Sequence, residues 1–356
     1  MSATMLDRLA DRAMKECIPL SALFELTGRC NLDCCHCYLD IAHPPWEMTT
    51  EQTIGVVDQL AEAGTFFLTL TGGELFLRKD ALVVAAHARR RGLALRLFTN
   101  ATRITEELAQ EIARIKPLAV EVSVYASSSA VHNAVTKRPK AFRRTLRGIV
   151  LLKRAGVNVG IKSPLLAPVI GEMDRLFELA DRLGTPMVFD PYVTPRHDGG
   201  LQPINYRAQV ADMAVALAHP RLRGSAKLPA PPRPDDIPCA VARRTVRISP
   251  TGDVFPCSTY PRSIGNVLKQ PFSGIWAGGP VLDRLRNLRI KDLHGDCAGC
   301  SQGGYCGRCT AVALIEHGDE LGPARESCRL AEAKERALEL PIVAPPRRES
   351  GKEAHG

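Results

Sequence analysis

Apolar residues along this chain follow two alternating rhythms. Short runs rich in β-branched and aromatic residues end near Leu26 (ALFEL), Leu70 (FFLTL), Phe98 (LALRLF), Val124 (VEVSV), Lys162 (VNVGIK) and Asp190 (PMVFD), and runs of that length and composition predict strands. Between them lie longer stretches such as TTEQTIGVVDQLAEAG and ALVVAAHARRRG, whose apolar positions stand three and four apart as on an amphipathic helix. Thr49, Thr50 and Glu51 mark a capped helix start, and Gly64, Gly92 and Gly156 sit where helices should stop. Repeated strand-helix units pair their strands in parallel, so the pattern predicts an α/β fold. Ligands of such sheets gather at the C-terminal ends of the strands, whether the sheet closes into a barrel or stays open.

The polar motifs all fall at that end. TGRCNLDCCHCY, positions 27 to 38, follows the first strand, Thr71-Gly72-Gly73-Glu74 the second and Thr99-Asn100 the third, while Ser123 ends the fourth and Lys162-Ser163 the fifth. One pocket could hold them together. Twelve cysteines occur, five before position 40 and seven after position 238, which suggests two separate metal-binding regions. Nothing resembles an export signal, and reduced intracellular thiols are better explained by metal than by disulfides.

Bulk composition changes the picture little. With 356 residues, 45% of them hydrophobic, the chain suits one large α/β domain plus a smaller one. No apolar run reaches membrane-spanning length, so a cytoplasmic protein with no membrane partner is expected. The net charge of +9 reads as scattered pairs such as Arg143/Arg144 and Arg243/Arg244, without interleaved aromatic residues. A solvated face explains that better than a nucleic-acid stripe, and an acidic peptide partner stays open.

Cys30, Cys34 and Cys37 form C-x3-C-x2-C with His36 just before the last cysteine, and Gly72-Gly73-Glu74 ends the next strand. This pairing resembles radical S-adenosylmethionine (radical SAM) enzymes. The resemblance implies a partial (β/α)6 barrel, with the three thiolates holding three irons of a 4Fe-4S cluster and the fourth iron binding S-adenosylmethionine. It also implies that His36 lies against the adenine, that Gly72 and Gly73 let backbone approach the ligand, and that Glu74 meets the methionine ammonium. Asn100 and Ser123 become candidates for ribose or carboxylate contacts, each with a plain turn or strand-end role as the alternative. Cys35 should point away as a small buried residue, and Lys162 is expected to be solvated, with a contact to the S-adenosylmethionine carboxylate or the substrate as the alternative. No residue is singled out as a catalytic acid or base.

The late cysteines carry a second resemblance. Cys239 and Cys257 flank RISPTGDVFPC, which reads as a hairpin turning at Thr251-Gly252-Asp253, and Cys297, Cys300, Cys306, Cys309 and Cys328 follow. The set is similar to the SPASM extension, which binds auxiliary iron-sulfur clusters; a structural zinc site is the competing reading. Position in that motif assigns Cys297, Cys300, Cys306 and Cys328 to one cluster and Cys239, Cys257 and Cys309 to another, leaving one iron free. Two departures stand out: Cys306 and Cys309 enclose only two residues, and an eighth cysteine is missing. Ser258 after Cys257 replaces the aspartate that sulfatase-maturating relatives carry, which argues against that substrate class.

The expected organisation is an N-terminal helix (1–19), the barrel (20–219), a Pro-rich linker (220–236), the auxiliary domain (237–335) and a disordered tail (336–356). The resemblance favours an enzyme that cleaves S-adenosylmethionine reductively, using an electron from a donor such as flavodoxin or ferredoxin. The resulting 5'-deoxyadenosyl radical would act on a ribosomally made peptide to form a thioether or carbon-carbon crosslink. About twenty residues precede the first strand, so a separate leader-peptide-binding protein or direct docking is expected. Oxidation of a small molecule such as a tetrapyrrole precursor, and a non-catalytic iron-sulfur carrier or scaffold, are the competing readings.

Overall fold

Each of the six apolar runs forms a strand in the computed structural model, which describes residues 4–39, 46–223 and 230–341. They are β1 (Ser21–Thr27), β2 (Phe67–Gly72), β3 (Ala94–Thr99), β4 (Ala119–Ser123), β5 (Val159–Pro164) and β6 (Met187–Asp190). Helix α1 (Met5–Glu16) precedes them. The connections are filled in turn by α2 (Thr50–Glu62), α3 (Ala81–Arg90), α4 (Glu106–Ile115), the pair α5 (Ser129–Thr136) and α6 (Ala141–Arg154), and the pair α7 (Ala167–Ile170) and α8 (Met173–Leu183). Thr49 starts α2 with a capping box that engages Gln52. The strands lie in unbroken order β6-β5-β4-β3-β2-β1, every neighbouring pair parallel. That is the partial barrel implied by the sequence.

Alternation along the strands separates core from cavity. Leu95, Leu97 and Thr99 of β3 are buried while Ala94, Arg96 and Phe98 are half-buried, and β5 alternates the same way. The buried set packs with Val57 and Leu60 of α2, Val84 of α3, Ile112 of α4, and Ile149 and Leu152 of α6 in one core. Each such side chain removed from water contributes about 1.5–3 kcal/mol. The other set faces the barrel interior, where Leu23, Thr69, Phe98, Ser123, Lys162 and Val188 line a cavity.

After β6, α9 (Val210–Ala218) and α10 (Pro220–Arg223) lead toward the cysteine-rich region. There β7 (Thr245–Ile248) and β8 (Asp253–Phe255) make the hairpin expected from RISPTGDVFPC, with Gly252 at φ 85° in its turn, and β9 (Gly265–Asn266) pairs beside β8. Local periodicity does not show where the hairpin goes. It docks through β7, parallel to β1, and extends the barrel sheet to nine strands. Otherwise β1 would present unpaired backbone groups at an open edge. Helices α11 (Phe272–Ala277), α12 (Pro280–Asn287), α13 (Thr310–His317) and α14 (Arg325–Glu339) complete the region. Helix α14 runs past the expected domain end at 335, because Ala333 and Ala337 are both buried where it packs along α9. Residues 224–229 of the expected linker and 342–356 of the expected tail lie outside the described residues. No helix among the described residues is long and apolar enough to cross a membrane.

Gly148 shows how tightly α6 holds the loop after β3. A Cβ there would lie 2.2 Å from the Ala101 carbonyl oxygen, and the Thr145 hydroxyl donates to the Asn100 carbonyl at 2.9 Å. Gly148→Ala is expected to lower stability by about 1–3 kcal/mol through overpacking, read as a lower urea midpoint. Gly55→Ala, where a Cβ meets nothing within 4 Å, should leave the midpoint unchanged or raise it.

Candidate active site

The cysteine loop leaves β1 and crosses the end of β2 at backbone contact. Gly73 N–H donates to the Thr27 carbonyl at 2.9 Å and Glu74 N–H to the Arg29 carbonyl at 2.8 Å. A Cβ at Gly72 would stand 2.3 Å from Thr27 O, and one at Gly73 would stand 2.4 Å from Arg29 O. Gly72 also takes φ 143°, which side chains disfavour. Both glycines line the cavity, yet their closest approach is to the cysteine loop itself.

Glu74 differs from the expectation. Its side chain is 1% exposed and does not line the cavity. Oε1 accepts from the Thr99 hydroxyl at 2.6 Å and from Phe76 N–H at 3.1 Å, while Oε2 accepts from Asn100 N–H at 2.7 Å. Burial lifts this carboxyl above its ordinary range and those three donors pull it back. The carboxylate ties the ends of β2 and β3 together, so both of its oxygens are engaged within the protein. Asn100 extends the tie: its Oδ1 accepts from Thr102 N–H and hydroxyl at 2.9 and 2.7 Å, and its Nδ2 donates to Asn31 of the cysteine loop at 3.0 Å. Asn100 lines the cavity with its side-chain groups already engaged.

Cys30, Cys34, His36 and Cys37 stand on one wall of the cavity. Burial pushes all three thiols up, and Cys37 raises Cys30 and Cys34 further. Holding them as thiolates therefore calls for a cation among them. Cys35 faces Tyr206 and Lys137 instead and does not line the cavity. The His36 ring meets Tyr125 edge-on, centroids 4.8 Å apart. Burial lowers its pKa to about 4, and its Nδ1 is buried without a hydrogen-bond partner, a deficit that a bound group would satisfy.

Several wall residues escaped the sequence reading. Ser123, on the wall as expected, lies beside Tyr125, whose hydroxyl lies 3.9 Å from Cys34 Sγ; an aromatic residue directly after VEVSV was the available signal. Lys162 is not simply solvated. It pairs with Glu121 inside the barrel, and its ammonium sits 4.2 Å from the Phe98 ring centroid. Asp190 closes the far wall, accepting from Tyr192 N–H at 2.9 Å, its carboxyl raised by burial and lowered by Lys162.

The seven late cysteines gather into two groups. Burial pushes the thiols of Cys257, Cys309, Cys306 and Cys328 up; Cys309 and Cys239 raise Cys257 further, Cys239 raises Cys309, and Cys297 and Cys300 raise Cys306 and Cys328. The first group borders the cavity, with Ser258, Thr259, Gly307 and Cys309 on its wall. Tyr192 fixes that wall to the barrel by donating to the Gly307 carbonyl at 2.7 Å. The cavity, about 1000 Å3, thus runs from the cysteine loop to the first late group. Among the described residues no three His, Cys, Asp or Glu side chains converge as ligands of a single ion. A 4Fe-4S cube spreads its thiolates over separate irons and does not need such convergence on one ion.

Two family models match these two regions: the radical SAM superfamily over residues 24–180 and SPASM, an iron-sulfur cluster-binding domain, over residues 239–301. The chain carries a radical SAM domain. Its 4Fe-4S chemistry and S-adenosylmethionine come with that domain, and the second domain brings auxiliary clusters. Three thiols on one loop, an unpaired imidazole nitrogen and an adjoining cavity fit such a cofactor set. Among relatives of this radical SAM protein is the AdoMet-dependent heme synthase of Methanosarcina barkeri, 28% identical, with the match covering 85% of this chain and 94% of that protein. The mycofactocin maturase MftC of Mycobacterium ulcerans is also 28% identical, over 83% of this chain and 84% of its own. Streptococcus suis SuiB bound to its precursor peptide SuiA shares the fold, with TM-score 0.70 at 15% identity, over 91% of this chain and 80% of that one.

The Glu74 arrangement separates two roles. Glu74→Gln sets an amide N–H against Asn100 N–H, and an unsatisfied buried donor costs about 1–3 kcal/mol. Iron content and S-adenosylmethionine affinity should fall together. A direct ammonium contact would instead lower affinity and leave iron intact. Gly73→Ala should also reduce iron, and Cys35→Ser should not; iron assay after anaerobic reconstitution checks all three.

Proposed function

We propose that this protein removes hydrogen from an unactivated carbon of a ribosomally made peptide, leading to a thioether or carbon-carbon crosslink. The cluster and S-adenosylmethionine, when bound, supply one-electron cleavage of a carbon-sulfur bond and hydrogen abstraction. The chain supplies the rest. Cys30, Cys34 and Cys37 hold the cluster, His36 faces the adenine, and the Gly72–Gly73 backbone and Ser123 line the pocket for S-adenosylmethionine. Lys162 and Asp190 offer opposite charges to orient a substrate. The observation carrying this reading is the cavity that joins the cysteine loop to Cys309, because a substrate in it touches both sulfur groups.

Cys239, Cys257 and Cys309 supply three thiolates, so one iron of a cluster there stays free for water, a non-cysteine side chain or a substrate thiolate. The last option favours thioether formation, and the maturase relative supports a peptide. A separate leader-binding protein would serve recognition. A second reading, oxidation of a tetrapyrrole precursor, is favoured by the heme synthase relative, 94% of whose length is matched.

Anaerobic protein given dithionite and S-adenosylmethionine is expected to release methionine and 5'-deoxyadenosine, and changing Cys30, Cys34 and Cys37 together to Ala should abolish both products; cleavage persisting in the triple variant refutes the cluster assignment. A cysteine-containing precursor peptide should raise 5'-deoxyadenosine release and lose two hydrogens by mass. Stimulation by an iron-tetrapyrrole carboxylate, with peptides inert, would select the second reading. In the triple variant a thiol-bearing peptide should perturb the paramagnetic resonance of one auxiliary cluster, and Cys328→Ala should leave that response in place.

A further inference from the structure

The net charge of this chain has one address. Between Glu121 and Glu172 no aspartate or glutamate occurs, against nine lysines and arginines. Setting those nine aside leaves 38 of the 47 basic residues, equal to the 38 acidic ones, so the remainder is formally neutral. The scattered distribution read from arginine pairs is therefore corrected.

Six of the nine lie where α5 ends and α6 begins: Lys137, Arg138, Lys140, Arg143, Arg144 and Arg147, all exposed. Arg143, Arg144 and Arg147 share one face of α6. Lys137 pairs with Asp33 at 3.7 Å. Among the described residues, none of the other five has a carboxylate within ion-pair distance. Helix α4, packed beside α6, carries the exposed Glu106, Glu107 and Glu111, and none of them reaches the cluster of cations. Crowded unpaired cations repel one another, and a surface that keeps them draws in an anionic partner.

This face is the outer wall of the cysteine loop. Asp33 N–H donates to the Thr136 carbonyl at 3.1 Å and Cys35 N–H to the Val135 carbonyl at 2.9 Å, so the end of α5 carries the loop that contains Cys30, Cys34 and Cys37. Of the six cations only Arg138 reaches the cavity wall, which places the patch outside the substrate's path. Exposed aromatic rings for base stacking are absent from 137–147, where Phe142 is half-buried. A cluster on that loop needs an electron from outside the chain.

We infer that the α5–α6 face docks an acidic one-electron carrier protein, which is oxidised by one electron as the cluster on the cysteine loop is reduced by one. The inference rests on the radical SAM chemistry proposed above. Reduced flavodoxin is the probe, used on the full reconstituted protein. Arg143→Glu, Arg144→Glu and Arg147→Glu together should slow flavodoxin-driven 5'-deoxyadenosine release by about tenfold or more at low salt, while the dithionite-driven rate stays unchanged. The three corresponding Lys substitutions should retain the flavodoxin rate, and added salt should slow the unaltered protein. Calorimetry with oxidised flavodoxin reads docking without chemistry, and its binding should vanish in the Glu variant. An unchanged flavodoxin rate, or an equal loss with dithionite, overturns the inference. So does a raised KM for a peptide with flavodoxin-driven cleavage intact, which would give the face to the substrate. Failure of the unaltered protein with dithionite, despite flavodoxin binding, would defeat the radical chemistry, and the electron-transfer role of the face with it.

Discussion

Where Gly72 and Gly73 pass under the cysteine loop, a single methyl group on either would press into the backbone of Thr27 or Arg29 at under 2.5 Å. Everything at the mouth of the barrel is registered by that contact. It fixes the loop over β2, and from there Glu74 reaches Thr99 and Asn100 at the end of β3. Asn100 returns to Asn31 in the loop. Three segments far apart in sequence are thereby closed into one ring of hydrogen bonds, with the cysteine side chains on its cavity side. Buried networks of this kind hold geometry when every member is satisfied, and a cofactor loop needs that more than it needs net stability.

A second constraint joins the two sulfur-rich regions. Because β7 pairs with β1, the auxiliary region is built onto the barrel sheet rather than tethered beside it. Tyr192 adds a clamp from the end of β6 to Gly307. The distance between the cysteine loop and the Cys239–Cys257–Cys309 group is therefore set by the fold, and the cavity is the space that remains between them. Asp190 and Lys162 bring opposite charge to that space.

Much of this was legible in the sequence because local period carries it. Alternation and helical spacing located six strands, and the cysteine intervals pointed to the loop and to the late groups. What was not legible depends on contacts between distant segments. Nothing in ALFEL or TVRI says that these strands pair. Nothing in GGELFLRKD says that Glu74 turns inward, or that Arg78 runs under the loop to donate to the Leu26 and Met48 carbonyls at 2.7 and 2.9 Å. The acid-free stretch from 122 to 171 was readable from composition by segment, and whole-chain charge concealed it.

The central claim is that sulfur is organised into three iron-binding places, two of which, the cysteine loop and the Cys239–Cys257–Cys309 group, border one cavity. Crystals of the anaerobically reconstituted protein, measured at the iron absorption edge, test it most directly. The account predicts separate iron peaks at Cys30–Cys34–Cys37, at Cys239–Cys257–Cys309, and at Cys297–Cys300–Cys306–Cys328. Zinc at the late cysteines, or iron that bridges cysteines of different groups, would contradict it.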